Sequence, residues 1–317
     1  MEPTTKPRPT NLLEGLASRR LLVVTGKGGV GKTTLAAALG HVLAKFGRQV
    51  LLLEADPRES VHNLLGVPPS GGEVVRVQAG LRVQNLRPRD VLDRVVSEHL
   101  RLEFLSRRVL ASPVYEHFAE GAPGLKEMAI LGHAFRLADP SQPSDGPDVD
   151  LVLLDAPASG HGVSLLAAPL LVSEVIREGP FGRLGGEIAR FIGDPERCGI
   201  VVATHAEEMP VQEVIELIEA LEQRLSRRPE LVLVNGLYPE APRAQDSTQQ
   251  FADGGLDLWR QRREINDREL ARLGRVWRGP RIDLPLLPID RGPELVTALE
   301  QRLEDSLTNP ENQVVAR

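Results

Sequence analysis

The stretch Leu21-Leu22-Val23-Val24-Thr25-Gly26-Lys27-Gly28-Gly29-Val30-Gly31-Lys32-Thr33-Thr34 governs how the rest of the chain is read. It opens on four apolar residues and a threonine, the pattern of a strand buried on both faces, as in a parallel sheet. Gly26 to Thr33 then fits Gly-x-x-x-x-Gly-Lys-[Ser/Thr], a loop whose backbone N–H groups turn inward to cradle phosphate oxygens. Gly28, Gly29, Val30 and Gly31 supply that curled backbone, and Thr33 and Thr34 open a helix whose dipole favours an anion. Lys32 is placed to reach the β- and γ-phosphates of ATP, and the Thr33 hydroxyl to ligate Mg²⁺.

Behind the loop, Leu35, Ala38, Leu39, Val42, Leu43 and Phe46 recur at intervals of three and four, one face of a helix that Gly47 stops. A second buried strand, Val50–Leu53, runs into Glu54-Ala55-Asp56-Pro57, and a third, Leu151–Leu154, ends at Asp155. Further strands are expected at Gly199–Thr204, Leu231–Asn235 and Arg281–Leu284, and helices at Val211–Leu225, Asp257–Leu273 and Pro293–Leu307. Strands alternating with helices predict an α/β fold, a doubly wound and mostly parallel sheet flanked by helices. Residues 88–137 turn helical and are expected to form an insertion on that sheet. The expected organisation is one domain over 20–307, between a flexible tail at 1–19 and another at 308–317.

Composition excludes several classes. The chain has 317 residues, is 41% hydrophobic and 26% charged, and carries a formal charge of -6, values of a globular protein with a sizeable core. That charge gives nucleic acid or an anionic bilayer no reason to attract the surface as a whole. Cys198 is the single cysteine, so disulfides, CxxC zinc sites and Cys-ligated clusters within one chain are out. Met1–Asn11 lacks the apolar core of a signal peptide, and runs such as Leu165–Val172 fall short of the ~20 residues that span a bilayer. A cytoplasmic protein without stable membrane insertion is expected. Only five of the 38 basic residues are lysine, yet both bases of the loop are, which fits a need for a compact ammonium there.

Two carboxylates stand where doubly wound sheets place ligands, at the carboxyl ends of strands. Spacing alone leaves two readings for Asp56: it positions or activates a water attacking the γ-phosphate and helps hold Mg²⁺, or it forms a turn before Pro57. Asp155 ends an apolar run, as a Mg²⁺-holding aspartate does, or else caps the next helix. His161, in the loop after Asp155, carries a weaker signal.

These motifs together resemble the ArsA family of deviant Walker A ATPases, arsenite-pump ATPases and ATPases that deliver tail-anchored membrane proteins. The form Lys-Gly-Gly-x-Gly-Lys-Thr, with its second lysine at Lys27, carries the resemblance first. Asp56-Pro57 is similar to the family's switch I, and Asp155-Ala156-Pro157-Ala158-Ser159-Gly160-His161 to its switch II. Pro123-Gly124-Leu125-Lys126-Glu127 resembles the family's Pro-Gly-x-x-Glu segment, and the likeness extends from about Leu21 to Leu307. It implies that Lys27 crosses a dimer interface to the partner's nucleotide, that Asp56 is the catalytic carboxylate, that Asn235 reads adenine, and that Pro285-Leu286 closes over the base. The implied working unit is a nucleotide-bridged homodimer, or a heterodimer with a paralogue, acting on a protein client the sequence does not name.

The chain also departs from that pattern. Switch I reads Asp56-Pro57-Arg58-Glu59-Ser60 where the family often has Asp-Pro-Ala-His-Ser, and the switch II proline comes one place early, at Pro157. One cysteine supplies neither a bridging zinc nor an arsenite site, and three methionines make no Met-rich groove. Competing readings are a small-molecule ligase or kinase, a MinD- or ParA-like positioning ATPase, and a nucleotide-binding structural subunit beside an active paralogue. Against lipid binding, Pro293–Leu307 sets Glu294, Glu300, Glu304 and Asp305 against the single base Arg302.

Overall fold

The computed structural model describes residues 11–56, 58–87, 89–93, 112, 124–142, 146–157, 162–175, 180–240 and 253–309. Its strands are β1 (Leu21–Gly26), β2 (Val50–Glu54), β3 (Val75–Gln78), β4 (Leu81–Asn85), β5 (Leu151–Asp155), β6 (Cys198–His205), β7 (Leu231–Leu237) and β8 (Arg281–Pro285). They form one sheet in the order β3-β4-β2-β5-β1-β6-β7-β8, parallel except where β3 runs antiparallel to β4 at the edge. The helices are α1 (Leu12–Ala17), α2 (Lys32–Lys45), α3 (Val61–Leu65), α4 (Leu125–Ala138), α5 (Gly162–Val175), α6 (Pro180–Gly193), α7 (Glu208–Leu225), α8 (Asp253–Val276) and α9 (Pro293–Thr308).

Alternate residues of each central strand feed two cores. Leu21 and Val23 face one side with Met128, Phe135, Phe191 and Val214, from α4, α6 and α7. Leu22 and Val24 face the other with Leu16, Leu35, Leu39 and Leu303, from α1, α2 and α9. Each fully buried side chain of this size contributes roughly 1.5–3 kcal/mol. Burial on both faces explains why β1, β2 and β5 are continuous apolar runs.

Some expectations need correction. The tail does not reach residue 19: Asn11 caps α1 by accepting from the Glu14 N–H at 2.8 Å, and Leu13 and Leu16 are buried against the sheet. Within the stretch 88–137, α4 and a short helical turn at 89–93 are described; most of the expected insertion, like the tails 1–10 and 310–317, lies outside the described residues. The hairpin β3–β4 escapes a search for apolar runs because it is half-buried and alternates with period two, as in Leu81-Arg82-Val83-Gln84-Asn85. Helix α5 is apolar all round and contains Pro169, so it carries no amphipathic stripe to detect.

Candidate functional site

The site follows from the order of the strands. Across the sheet, their carboxyl ends bring up in turn Asn85 (β4), Glu54 (β2), Asp155 (β5), the loop after β1, His205 (β6) and Asn235 (β7). The chain leaves β1 toward β2 on one side and crosses to β6 on the other, so the loop stands at the topological switch point, where open α/β sheets bind ligands.

Two glycines let the loop form. Gly26 has φ 142°, and a Cβ there would fall 2.1 Å from the Ala203 carbonyl oxygen of β6. Gly31 caps α2 at φ 88°, where a Cβ would lie 2.5 Å from Asn235 Nδ2. Only glycine meets both the backbone angle and the space. Thr33 and Thr34 fall in the first turn of α2, as the motif requires.

The two loop lysines point to different places. Lys32 is buried, and its ammonium donates to the Lys27 carbonyl oxygen at 3.0 Å. Burial lowers its pKa, opposed by the charges of Asp155 and Asp56. Lys27 runs outward from the loop to Glu213 of α7, with Nζ 2.6 Å from Oε1 and both side chains about one-third exposed (31% and 33%).

Asp155 is the unusual acid. Burial pushes its pKa up to about 7, although a hydrogen bond with Thr33 and the charge of Lys32 pull the other way. Its Oδ1 is buried without a hydrogen-bond partner. A fully buried carboxylate with one vacant oxygen, beside a threonine hydroxyl, is an oxygen donor set that fits a hard divalent cation such as Mg²⁺. Among the described residues no cluster of three or more His, Cys, Asp or Glu could by itself hold a metal ion.

Asp56 lies just beyond β2 and is held by Arg58. The Arg58 Nε and Nη2 donate to its two oxygens at 3.2 and 3.1 Å, and the Arg58 N–H donates to Oδ1 at 2.9 Å. These bonds, the guanidinium first, keep its pKa below the usual carboxylate range, with a smaller contribution from Lys32. Asn235 donates from Nδ2 to the Val30 carbonyl at 3.1 Å, so in this structure its amide nitrogen braces the loop. Pro285 and Leu286 sit at the end of β8, two strands beyond β6, where the Leu286 N–H donates to the Leu237 carbonyl at 2.7 Å; Leu286 is exposed. Pro157 is described, while His161 lies outside the described residues.

Sequence reasoning gave no role to Glu54, Asn85, Arg58, His205 or Glu213. His205 is the register partner of Asn235 and is hydrogen-bonded to the Val30 backbone; burial lowers its pKa. Its signal was available, since a histidine directly after the apolar run Ile200–Thr204 must stand at a strand's carboxyl end. Glu213 had no comparable signal, because nothing local links it to Lys27, 186 residues away.

Residues 19–179 match the family model of the anion-transporting ATPases. The chain is 29% identical over 247 residues to the ATPase BagA of Mycobacterium tuberculosis, covering 76% of this chain and 72% of that one. It is 25% identical over 242 residues to the arsenical pump-driving ATPase of Acidiphilium multivorum, covering 71% of this chain and 41% of that one. It is also 28% identical over 178 residues to the ATPase ASNA1 homolog 2 of Paramecium tetraurelia, covering 55% and 50%. The family match begins two residues before β1 and takes in the phosphate loop, Asp56 and Asp155: the chain belongs to the ArsA family of ATPases.

Proposed function

We propose that this ATPase is a nucleotide-operated switch of two chains, in which Mg²⁺-ATP draws two phosphate loops together and hydrolysis releases them to control a protein client. The observation that carries the reading is the divergence of the two loop lysines. Lys32 turns inward to the phosphate cradle, while Lys27 leaves the loop for a partly exposed partner on α7. A cation held at the rim is available to a neighbouring chain's nucleotide, where it offsets the repulsion of two triphosphates and stabilises charge on their oxygens.

The remaining roles follow from chemistry and position. Gly28, Gly29, Val30, Gly31, Thr33 and Thr34 bind the phosphates with Lys32, and Asn235, Pro285 and Leu286 take the base. Thr33, Asp155 and Asp56 would hold Mg²⁺, which would neutralise phosphate charge. Asp56 orients the attacking water and accepts its proton. The second chain is another copy of this one or a paralogue. No observation favours a lipid-bound positioning role, since α9 buries Val296, Leu299, Leu303 and Leu307 in the core.

The test is ATP turnover against protein concentration, for wild type and Lys27→Ala. Wild-type specific activity should rise with concentration, alone or on adding the paralogue, and Lys27→Ala should lose most of that rise. Turnover strictly linear in concentration for a monomeric chain, unchanged by Lys27→Ala, would refute the two-chain switch.

A further inference from the structure

One strand away from the phosphate loop, a row of three polar residues crosses the sheet. Asn85, Glu54 and Asp155 end β4, β2 and β5 and are register partners, Glu54 pairing with Asn85 on one side and with Asp155 on the other. Asp155 belongs to the site already described. Glu54 and Asn85 do not, yet each is only 2% exposed. A buried carboxylate and a buried amide need partners, and theirs converge on the loop that carries Asp56.

That loop leaves β2 at Asp56 and enters α3 at Val61. At its start, Asn85 Nδ2 donates to the Asp56 carbonyl oxygen at 2.7 Å. At its end, Glu54 Oε1 accepts from the Ser60 N–H at 2.6 Å, the Ser60 hydroxyl at 2.9 Å and the Val61 N–H at 3.1 Å. Asn85 Nδ2 also donates to Glu54 Oε2 at 3.3 Å, so one amide–carboxylate pair grips both ends. Asn85 is itself fixed through its backbone N–H, which donates to Ser70 Oγ at 2.9 Å. Between the two anchors the chain is strained: Glu59, a non-glycine residue, has φ 45°, and its Oε1 is buried without a partner. Strain of this kind persists only where the surroundings impose it.

We propose that Glu54 and Asn85 are positioning residues for hydrolysis, fixing the backbone of Asp56 so that its carboxylate meets the water and the γ-phosphate. The proposal rests on the reading of Asp56 as the carboxylate of hydrolysis. Neither residue touches the nucleotide; both act through Asp56. Asn85 is suited to this because its one NH₂ group serves the Asp56 carbonyl and the Glu54 carboxylate together, tying the loop's entry to its exit. Glu54 is suited because a single oxygen takes three donors, which neutral side chains seldom do. The competing role is structural: the pair merely caps α3 and fills the core.

Kinetics separate the two. Asn85→Ala removes the donor to Asp56, and Glu54→Gln keeps the volume but cannot accept from both sides at once. Each should slow turnover by ~10- to 100-fold, the range for a misplaced catalytic group, with ATP affinity changed less than ~2-fold. Placed in an Asp56→Asn background, Asn85→Ala should add nothing, because a residue acting through Asp56 has nothing left to position. A structural role predicts otherwise: affinity, melting temperature and turnover fall together, and the loss adds to that of Asp56→Asn. That pattern, or wild-type turnover in both single variants, overturns the proposal. Should Asn85→Ala not fold, Glu54→Gln decides by the same criteria. Failure of the reading beneath it looks different, since Asp56→Asn would then turn over like wild type.

Discussion

Asp155→Asn should make the empty protein more stable, and increasingly so as pH rises. Without cation or nucleotide the folded carboxyl titrates at about 7 against an ordinary 3.8, chiefly because it is buried. In that window the folded chain holds a proton that the unfolded chain has released, so stability falls as pH rises, by up to ~1.4 kcal/mol per unit. Below the window both states are protonated and nothing is lost; above it both are ionised and the loss is complete, about 4 kcal/mol. Between about pH 5 and pH 8 the linkage amounts to roughly 2–3 kcal/mol, or about 3–5 °C in melting temperature for a chain of this length. Asparagine does not titrate, so the gap between variant and wild type isolates this one group. The assay is thermal unfolding of both proteins in chelator across that range. Adding Mg²⁺ and a non-hydrolysable ATP analogue should then reverse the order, because the cation binds the wild-type carboxylate and not the amide. A gap that stays flat with pH would show that Asp155 is ionised throughout, and the inference that its vacant oxygen awaits a cation would fall.

Four further outcomes are expected. Lys32→Ala should weaken ATP binding by at least ~10-fold in calorimetry, since it deletes a charge-assisted contact to phosphate; unchanged affinity would remove Lys32 from the cradle. Asp56→Asn should bind ATP normally and turn over at least ~100-fold more slowly, and near-wild-type turnover would return Asp56 to the role of a turn residue. Arg58→Ala should move the acid limb of the pH–rate profile to higher pH, because Arg58 is the main influence holding the Asp56 carboxyl down; an unmoved limb would detach that limb from Asp56. Glu213→Gln frees Lys27 from a partly exposed ion pair worth ~0–1 kcal/mol, so half-maximal specific activity should come at up to ~5-fold lower concentration, whereas a shift to higher concentration would mean that Glu213 supports the assembled state.

Much of the fold was legible because the parallel core writes itself as uninterrupted apolar runs. β1, β2 and β5 are buried on both faces, and the glycines between β1 and α2 mark the tight turn that joins them. What escaped is what depends on pairing at a distance. Val75–Gln78 and Leu81–Asn85 become strands because β4 docks on β2, a partner 31 residues away for the pair Glu54 and Asn85, and their own pattern is weak. α1 is six residues long, too short to be stable alone, and exists because Leu13 and Leu16 reach the core shared with α9. Among site residues, those within the loop motif were readable and those that orient it were not. Arg58 was noted as a departure from the family's switch I, but its grip on Asp56 depends on the loop's folded path.

The electrostatics of the site explain why such an arrangement suits a switch. Lys32 and Asp155 are each driven toward the neutral form by burial, and Glu54 and Asp56 add negative charge that raises Asp155 further. With nothing bound, burial therefore works against both charges of the cradle, and the Asp155 carboxyl, pushed up to about 7, is only partly ionised at neutral pH. A ligand carrying only negative charge would favour the ammonium of Lys32 but add to the repulsion already felt by Asp155. A bare cation would suit Asp155 while opposing Lys32. A nucleotide triphosphate arriving with a divalent cation would satisfy both, and on the proposed reading the two halves of the ligand would favour each other's binding. Hydrolysis removes the γ-phosphate and with it part of that charge match, at the point where the Asp56 loop is anchored by buried bonds and strained between them. In the proposed switch, the loss of one phosphate would let this loop relax, and Lys27, partnered at the rim by Glu213, would face the second chain.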